Sequence, residues 1–212
     1  MRVRTLSAAA VVALAVTGLS ACRTNVGAAA VVGGHRITES EVQTYLTPEG
    51  PTAAAVAQAA QNNQPLYPKS IALNTVVQSR VYAATLTGTP GGLPSDAELH
   101  AAHDQAAQTL TGGSITGAQF DAEVAASLAG EGLRQKLLPL VIRNIDLEYA
   151  LIVRTKATSA ADVAKAIAAQ HISVSVNPAY GSWNAATYGV AAPGSKVPDF
   201  LTLKSTAVTP AG

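Results

Sequence analysis

The chain has 212 residues, enough for one domain with a real hydrophobic core. Fourteen basic against thirteen acidic residues give a formal net charge of +1, which excludes the basic field of a nucleic-acid binder and an acidic tail aimed at a basic partner. Hydrophobic residues make up 48% but aromatics only 4%, so small Ala and Val side chains must build a core of closely packed helices.

Arg2 and Arg4 form a positive first region, Leu6 to Leu19 is an uncharged and largely apolar run, and small residues follow. This is the layout of a secretory signal peptide. The run is shorter than the ~20 residues a helix needs to span a bilayer, so it reads as a cleaved signal rather than an anchor. It ends Leu19-Ser20-Ala21-Cys22, which is similar to the lipobox of bacterial lipoproteins. The similarity implies cleavage between Ala21 and Cys22 and a lipid on the Cys22 sulfur, a reaction suited to a nucleophilic thiolate. Cys22 is also the single cysteine, so no intramolecular disulfide can form. Two or more acyl chains, at ~0.8 kcal/mol per buried methylene, anchor a protein stably. The expected location is the extracytoplasmic face of the cell membrane. The expected organisation is a signal peptide over 1–21, a lipidated tether over 22–27, a helical domain over 28–189 and a flexible tail over 190–212.

In the mature chain, Ala28 to Val32 reads as a strand and Gly33-Gly34 as a tight turn with positive φ. Thr38 and Glu41 have capping-box spacing, with Ile37 and Val42 as the staple, so a helix is expected from Thr38 to about Leu46. Thr52 to Gln61 is an Ala-rich helix. Pro68 opens another, on which Leu73, Val77 and Val81 recur at helical spacing. Gly and Pro make 88–94 a loop. Ser95/Glu98 and Thr116/Gln119 are two further capping boxes. The first leads a stripe of Leu99, Ala102, Ala106 and Leu110; the second leads Phe120, Val124 and Leu128. Leu133 to Val153 is strongly apolar, with Leu133, Leu137, Val141, Ile145 and Ile152 near one face, and Pro139 is expected to kink or divide it. Ser159 to Ala169 is a last helix. Ile172, Val174 and Val176 then alternate with serines, the pattern of a half-buried strand. The fold class expected is mainly α: a multi-helix body with a small two- or three-stranded sheet that joins the N- and C-terminal segments.

Chemistry-bearing residues are sparse. His100, His103 and Asp104 share one helix, but a metal would need further ligands from elsewhere. The histidines read as a solvated face, and no metal or cofactor is expected. Asp121/Glu123 and Asp146/Glu148 are spaced by two, so on a helix each pair diverges by about 200° and forms no carboxylate dyad. No nucleophile elbow, Walker loop or zinc-protease motif occurs, and no catalytic residue is assigned. Trp183, with Tyr180 and Tyr188, is read as a core plug beneath the small sheet rather than an apolar contact for clients.

The segment Ala30-Val31-Val32-Gly33-Gly34-His35-Arg36-Ile37-Thr38-Glu39-Ser40-Glu41-Val42 resembles the opening of the SurA/PrsA-type chaperone module, a "VA-V-NG--IT--E" strand, turn and helix start. Val174-Ser175-Val176-Asn177-Pro178-Ala179-Tyr180-Gly181-Ser182-Trp183-Asn184 resembles the closing "V-VNPR-G-WD" motif of actinobacterial members, with Ala179 and Asn184 in place of Arg and Asp. The resemblance implies a SurA N-domain-like body and a lipid-anchored extracytoplasmic chaperone, a holdase for unfolded or newly secreted polypeptides. From the balanced charge and the absence of catalytic motifs, no nucleic-acid partner and no enzyme activity are expected. Many relatives also carry a parvulin prolyl-isomerase domain. Tyr149-Ala150-Leu151-Ile152-Val153 echoes its first strand and Val197-Pro198-Asp199-Phe200 a later motif, but Ala150 stands where that strand carries His. The alternatives are a parvulin-type isomerase with a reduced catalytic part and a lipoprotein adaptor that binds one envelope partner.

Overall fold

The computed structural model describes residues 27–62, 65–113 and 115–193. The expected signal peptide, Cys22, the tether up to residue 26 and the tail beyond residue 193 lie outside the described residues.

β1 (Ala28–Val32) and β2 (His35–Thr38) pair antiparallel around Gly33-Gly34, whose φ angles of +55° and +82° suit the tight turn expected there. β3 (Val174–Val176) pairs antiparallel with the other edge of β1, so the sheet runs β2-β1-β3. The two ends of the domain meet in one sheet, as expected. Ala28, Ala29, Ala30 and Val32 are all buried, so β1 is covered on both faces. Its small side chains let the helical body approach closely.

Thr38 caps α1 (Glu39–Gln43) by accepting from the Glu41 amide at 3.0 Å. The reciprocal half of that capping box is not made, because the Glu41 carboxylate reaches Arg80 at 3.3 Å instead. α1 also stops short of Leu46, which forms a β-bridge with Leu133. α2 (Ala53–Gln61) starts at Thr52, and α3 (Pro68–Thr87) has Pro68 in its first turn. α4 (Asp96–Thr111) and α5 (Gly117–Gly130) carry both halves of their capping boxes. The stripe on α4 consists of Ala102, Ala106 and Ala107; Leu110, in the last turn, faces solvent.

α6 (Leu138–Thr155) follows a single 3₁₀ turn over Gln135–Leu137. Of the two outcomes expected at Pro139, a kink or a division, the segment is divided, into the 3₁₀ turn and α6. Pro139 lies in the first turn, where its missing N–H removes no helical hydrogen bond. The buried face of α6 also differs from expectation: Asn144, Leu147, Ala150 and Leu151 are buried, while Val141, Ile145 and Ile152 are half-buried. α7 (Ala160–Ala168) buries Val163 and Ile167.

α3 is the central element. Leu73, Val77, Val81 and Leu86 are fully buried, Ala72, Val76 and Tyr82 are buried beside them, and α6, α7, β1 and the C-terminal strands all pack on it. A helix covered over most of its surface keeps little of a solvent-facing polar side. Its polar residues are used inward instead. Ser70, Asn74 and Gln78 are spaced by four and so share one face. The Ser70 hydroxyl donates to the Tyr180 carbonyl at 2.6 Å, Asn74 Oδ1 accepts from the Val190 amide at 2.7 Å, and the Gln78 amide donates to the Tyr188 carbonyl at 3.3 Å.

These bonds dock a second sheet that the sequence pattern did not suggest, the antiparallel pair β4 (Ser182–Asn184) and β5 (Gly189–Ala191). β5 carries the fold past the expected boundary at residue 189. Trp183, expected as a plug beneath the first sheet, lies instead in β4 of the second sheet, half-buried against the core and edge-on to the buried Tyr188 with ring centroids 6.2 Å apart. Asn74→Ala leaves the Val190 amide without its acceptor. It is expected to lower stability by about 1–2 kcal/mol in urea unfolding. Amide exchange should rise in β5 before it rises in β1.

Candidate functional site

The segment 45–52 runs beside 130–134. The Arg134 amide donates to the Tyr45 carbonyl at 2.7 Å, the Thr47 amide to Gly132 at 2.9 Å and the Thr52 amide to Gly130 at 2.8 Å. The backbones touch at Gly132. A Cβ there would lie 2.5 Å from the Gly50 carbonyl carbon and 2.6 Å from Pro51 N, and φ is +78°. Only glycine fits. The glycines of this junction, read from sequence as a weak point, make a close backbone crossing.

The crossing sets α2 beside the C-terminal half of α5 and leaves an open cleft of about 580 Å³ between them. Ala54, Ala55, Ala59, Leu66, Ile71 and Ala126 supply its apolar lining, Thr52, Gln58, Asn62 and Ser127 an equal share of polar lining, and Glu131 its one charged side chain. α2 itself carries no charge. Only Ala59 of this helix is buried, and Val56 is exposed. A second groove, of about 830 Å³, lies beside the β1–β2 turn, where Val32, Ala83, Ala84 and Ile172 provide apolar surface next to His35 and Arg80.

A third cavity, of about 520 Å³, is anionic: Asp96, Asp104, Asp121 and Asp146 line it with His100 and His103. The reading of both histidines as solvated is corrected here. His100 is exposed, but the His103 side chain is only 12% exposed. α4 packs against both α5 and α6, and His103 points into that junction. Its Nδ1 lies 3.0 Å from Asp146 Oδ1, its Nε2 lies 3.6 Å from Asp121 Oδ1, and its ring centroid is 6.0 Å from that of Phe120. Asp121 and Asp146 therefore meet through His103, across helices, rather than pairing with Glu123 and Glu148 within them. Among the described residues no three His, Cys, Asp or Glu side chains converge closely enough to hold a metal ion.

Burial pushes the Asp146 carboxyl up from its ordinary range, against the pull of the adjacent imidazole. Burial likewise raises Glu148, partly offset by the Tyr82 hydroxyl that donates to it. Burial first, and then the Glu148 charge, raise Tyr82 itself. Glu98 goes the other way, down to about 2, because it accepts from the Ser95 amide and from Arg154 at 2.9 Å.

Residues 149–153, the echo of a parvulin strand, form the last turns of α6 and are helical. Residues 197–200, the lipidation residue Cys22 and the cleavage-site residue Ala21 lie outside the described residues. No helix among the described residues is long and apolar enough to cross a membrane. No family model matches the chain, and comparison with curated proteins and with solved structures finds no match.

Gly132→Ala is expected to lose about 1–3 kcal/mol of stability through strain and the clash with Gly50-Pro51. Gly33→Ala, with φ of +55° and open space around it, should lose less. Urea unfolding ranks the two, and exchange in α2 should rise for Gly132→Ala alone. Glu148→Gln tests the buried carboxyl. A raised native pKa means the stabilising contribution is complete below the ordinary value of 4.5 and is lost as pH rises through the raised value. The glutamine variant should therefore melt higher than wild type at neutral pH, with the gap closing towards pH 4.5. Thermal melts across that range measure it.

Proposed function

We propose that this protein is a lipid-anchored extracytoplasmic chaperone that holds unfolded or newly secreted polypeptides, without covalent catalysis and without a cofactor. The observation that carries this reading is the open α2–α5 cleft, in which Ala54, Ala55, Ala59, Leu66, Ile71 and Ala126 form apolar patches among the polar Thr52, Gln58, Asn62 and Ser127, bordered by a charge-free, largely exposed helix. Small apolar patches set among polar groups offer shallow contacts and little shape selection. Such a cleft favours many weak contacts with extended segments over one tight ligand. The near-neutral chain adds no strong field to select clients by charge.

Two sequence features support the same reading. Leu19-Ser20-Ala21-Cys22 has the lipobox pattern, which would hold the domain where secreted chains emerge unfolded. The segments that resemble the chaperone module's opening and closing motifs contribute β1 and β3, neighbours in one sheet.

The test uses the mature chain lacking residues 1–22. Added in increasing ratio to a refolding, aggregation-prone client, it should lower light scattering in proportion to dose. It should leave a prolyl-limited refolding phase, normally tens of seconds or slower, unaccelerated. Ala54→Trp and Ala126→Trp fill the cleft from exposed positions and should weaken the suppression without lowering stability. A faster prolyl phase would instead favour an isomerase. Absence of suppression across several clients would overturn general chaperoning in favour of a dedicated adaptor.

A further inference from the structure

The chain leaves the body at a fixed place and with a fixed heading. The Gln78 amide meets the Tyr188 carbonyl, and Asn74 Oδ1 meets the Val190 amide. Four residues of helix advance about 6 Å and two residues of strand about 7 Å, so β5 runs in step with α3 and towards its N-terminal end. One more such step brings residue 192 level with Ser70. Two contacts agree with that register. The Ser70 hydroxyl donates to the Tyr180 carbonyl, and a Cβ on the next residue, Gly181, would collide with the Ala191 carbonyl and lie 3.3 Å from the Ala192 carbonyl carbon. A further step passes the first turn of α3. Leu66 and Ile71, which bracket that turn, line the α2–α5 cleft.

We infer that residues 197–203 of this same chain lie in the α2–α5 cleft, so that the site is held by a segment in cis until another polypeptide displaces it. Val197-Pro198-Asp199-Phe200-Leu201-Thr202-Leu203 follows β5 closely, beyond the described residues, and carries a cluster of large apolar side chains. Residues 194–196 span at most about 11 Å, so Val197 lies within that distance of the exit beside the cleft. Pro198 offers no N–H and restricts Val197 to extended backbone, which suits a segment laid between two helices rather than a further helix. In that conformation Leu201 and Leu203 share one side. The walls they meet at Ala54, Ala55, Ala59 and Ala126 end at Cβ and leave room for larger side chains from a partner. Charge agrees as well. Lys196 and Lys204 bracket the segment against the single Asp199, and Glu131, the one charged side chain of the cleft, makes no ion pair among the described residues.

A shallow cleft gives weak affinity, and covalent connection compensates for it. A short linker presents its end at an effective concentration in the millimolar range, so a contact too weak to hold a free peptide is still well populated. The docking does not depend on what else the cleft binds. Its consequence, that clients compete with the segment, rests on the holdase reading.

The test is Phe200→p-benzoylphenylalanine, a photocrosslinking side chain, in the full chain. Isotopically heavy and light protein are mixed and irradiated, and crosslinked peptides are identified by mass spectrometry. Crosslinks to residues 52–62 or 126–131 within one copy are expected. Ala54→Trp with Ala126→Trp fills the cleft and should remove most of them. Crosslinks that map elsewhere, join heavy to light copies, fail to form or ignore the filling would overturn the docking. A second measurement separates the docking from the holdase reading. Leu201→Ser with Leu203→Ser frees the cleft and should lower the dose for half-maximal suppression of client aggregation about twofold or more, because the competent fraction of sites rises. An unchanged dose would overturn the competition. Absence of suppression from wild type and variant alike, with the crosslink intact, would overturn the holdase reading and support the docking alone.

Discussion

A helix packed over most of its surface has to match each neighbour in kind, and α3 meets that requirement with two different faces. Leu73, Val77, Val81 and Leu86 are fully buried among α6, α7 and β1, each contributing about 1.5–3 kcal/mol. Ser70, Asn74 and Gln78 meet the backbone of the C-terminal segment, each bond contributing about 1 kcal/mol net. The apolar face therefore supplies most of the stability, while the polar face decides which strand docks and where. β4 and β5 are short and pair only with each other, so their position depends on that polar face. The Asn144 amide, donating to the Thr75 carbonyl at 2.7 Å, ties α6 to the same helix in the same way.

Small side chains shape the remainder. Ala28, Ala29 and Ala30 make β1 thin enough to be covered on both faces, and Ala102, Ala106 and Ala107 bring α4 against its neighbours. The same residue type has the opposite consequence at α2. With one buried residue and no large anchor, α2 is held chiefly through the backbone bonds of Thr47 and Thr52 and stands away from α5. The composition that tightens the centre leaves its edge open, and that open edge is the surface on which the holdase reading rests.

The anionic cavity is a different kind of feature in a chain of almost balanced charge. Its acids come from three helices, and His103 stands among them, 3.0 Å from Asp146 and 3.6 Å from Asp121. α5 is thus governed from both ends, by the cluster at its first turn and by the Gly130–Gly132 crossing at its last. Both junctions rest on a glycine, Gly117 and Gly132, whose absent side chain admits a neighbour.

Local rules were legible in the sequence wherever neighbours along the chain set the outcome. The Gly33-Gly34 turn, the N-caps at Thr38, Ser95 and Thr116, the helix starts at Thr52, Pro68 and Ser159 and the alternation over 174–176 all follow from hydrogen bonds or dihedral limits within a few residues. The mainly helical class and the closure of the domain by β1 and β3 followed from the same patterns. What failed to be legible required partners distant in sequence. Pro139 reads identically as a kink or as a helix start until Leu133 is seen paired with Leu46, which ends the preceding segment. The buried face of α6 was set by what α3 and α4 present to it, not by its own most apolar stripe. His103 looked solvated because Asp121 and Asp146 are 18 and 43 residues away in the chain. The sequence by itself determined where helices and turns begin, since those are short-range choices; only the tertiary structure decided which faces became core, cleft and charged cavity, since those depend on surfaces the local pattern cannot bring together.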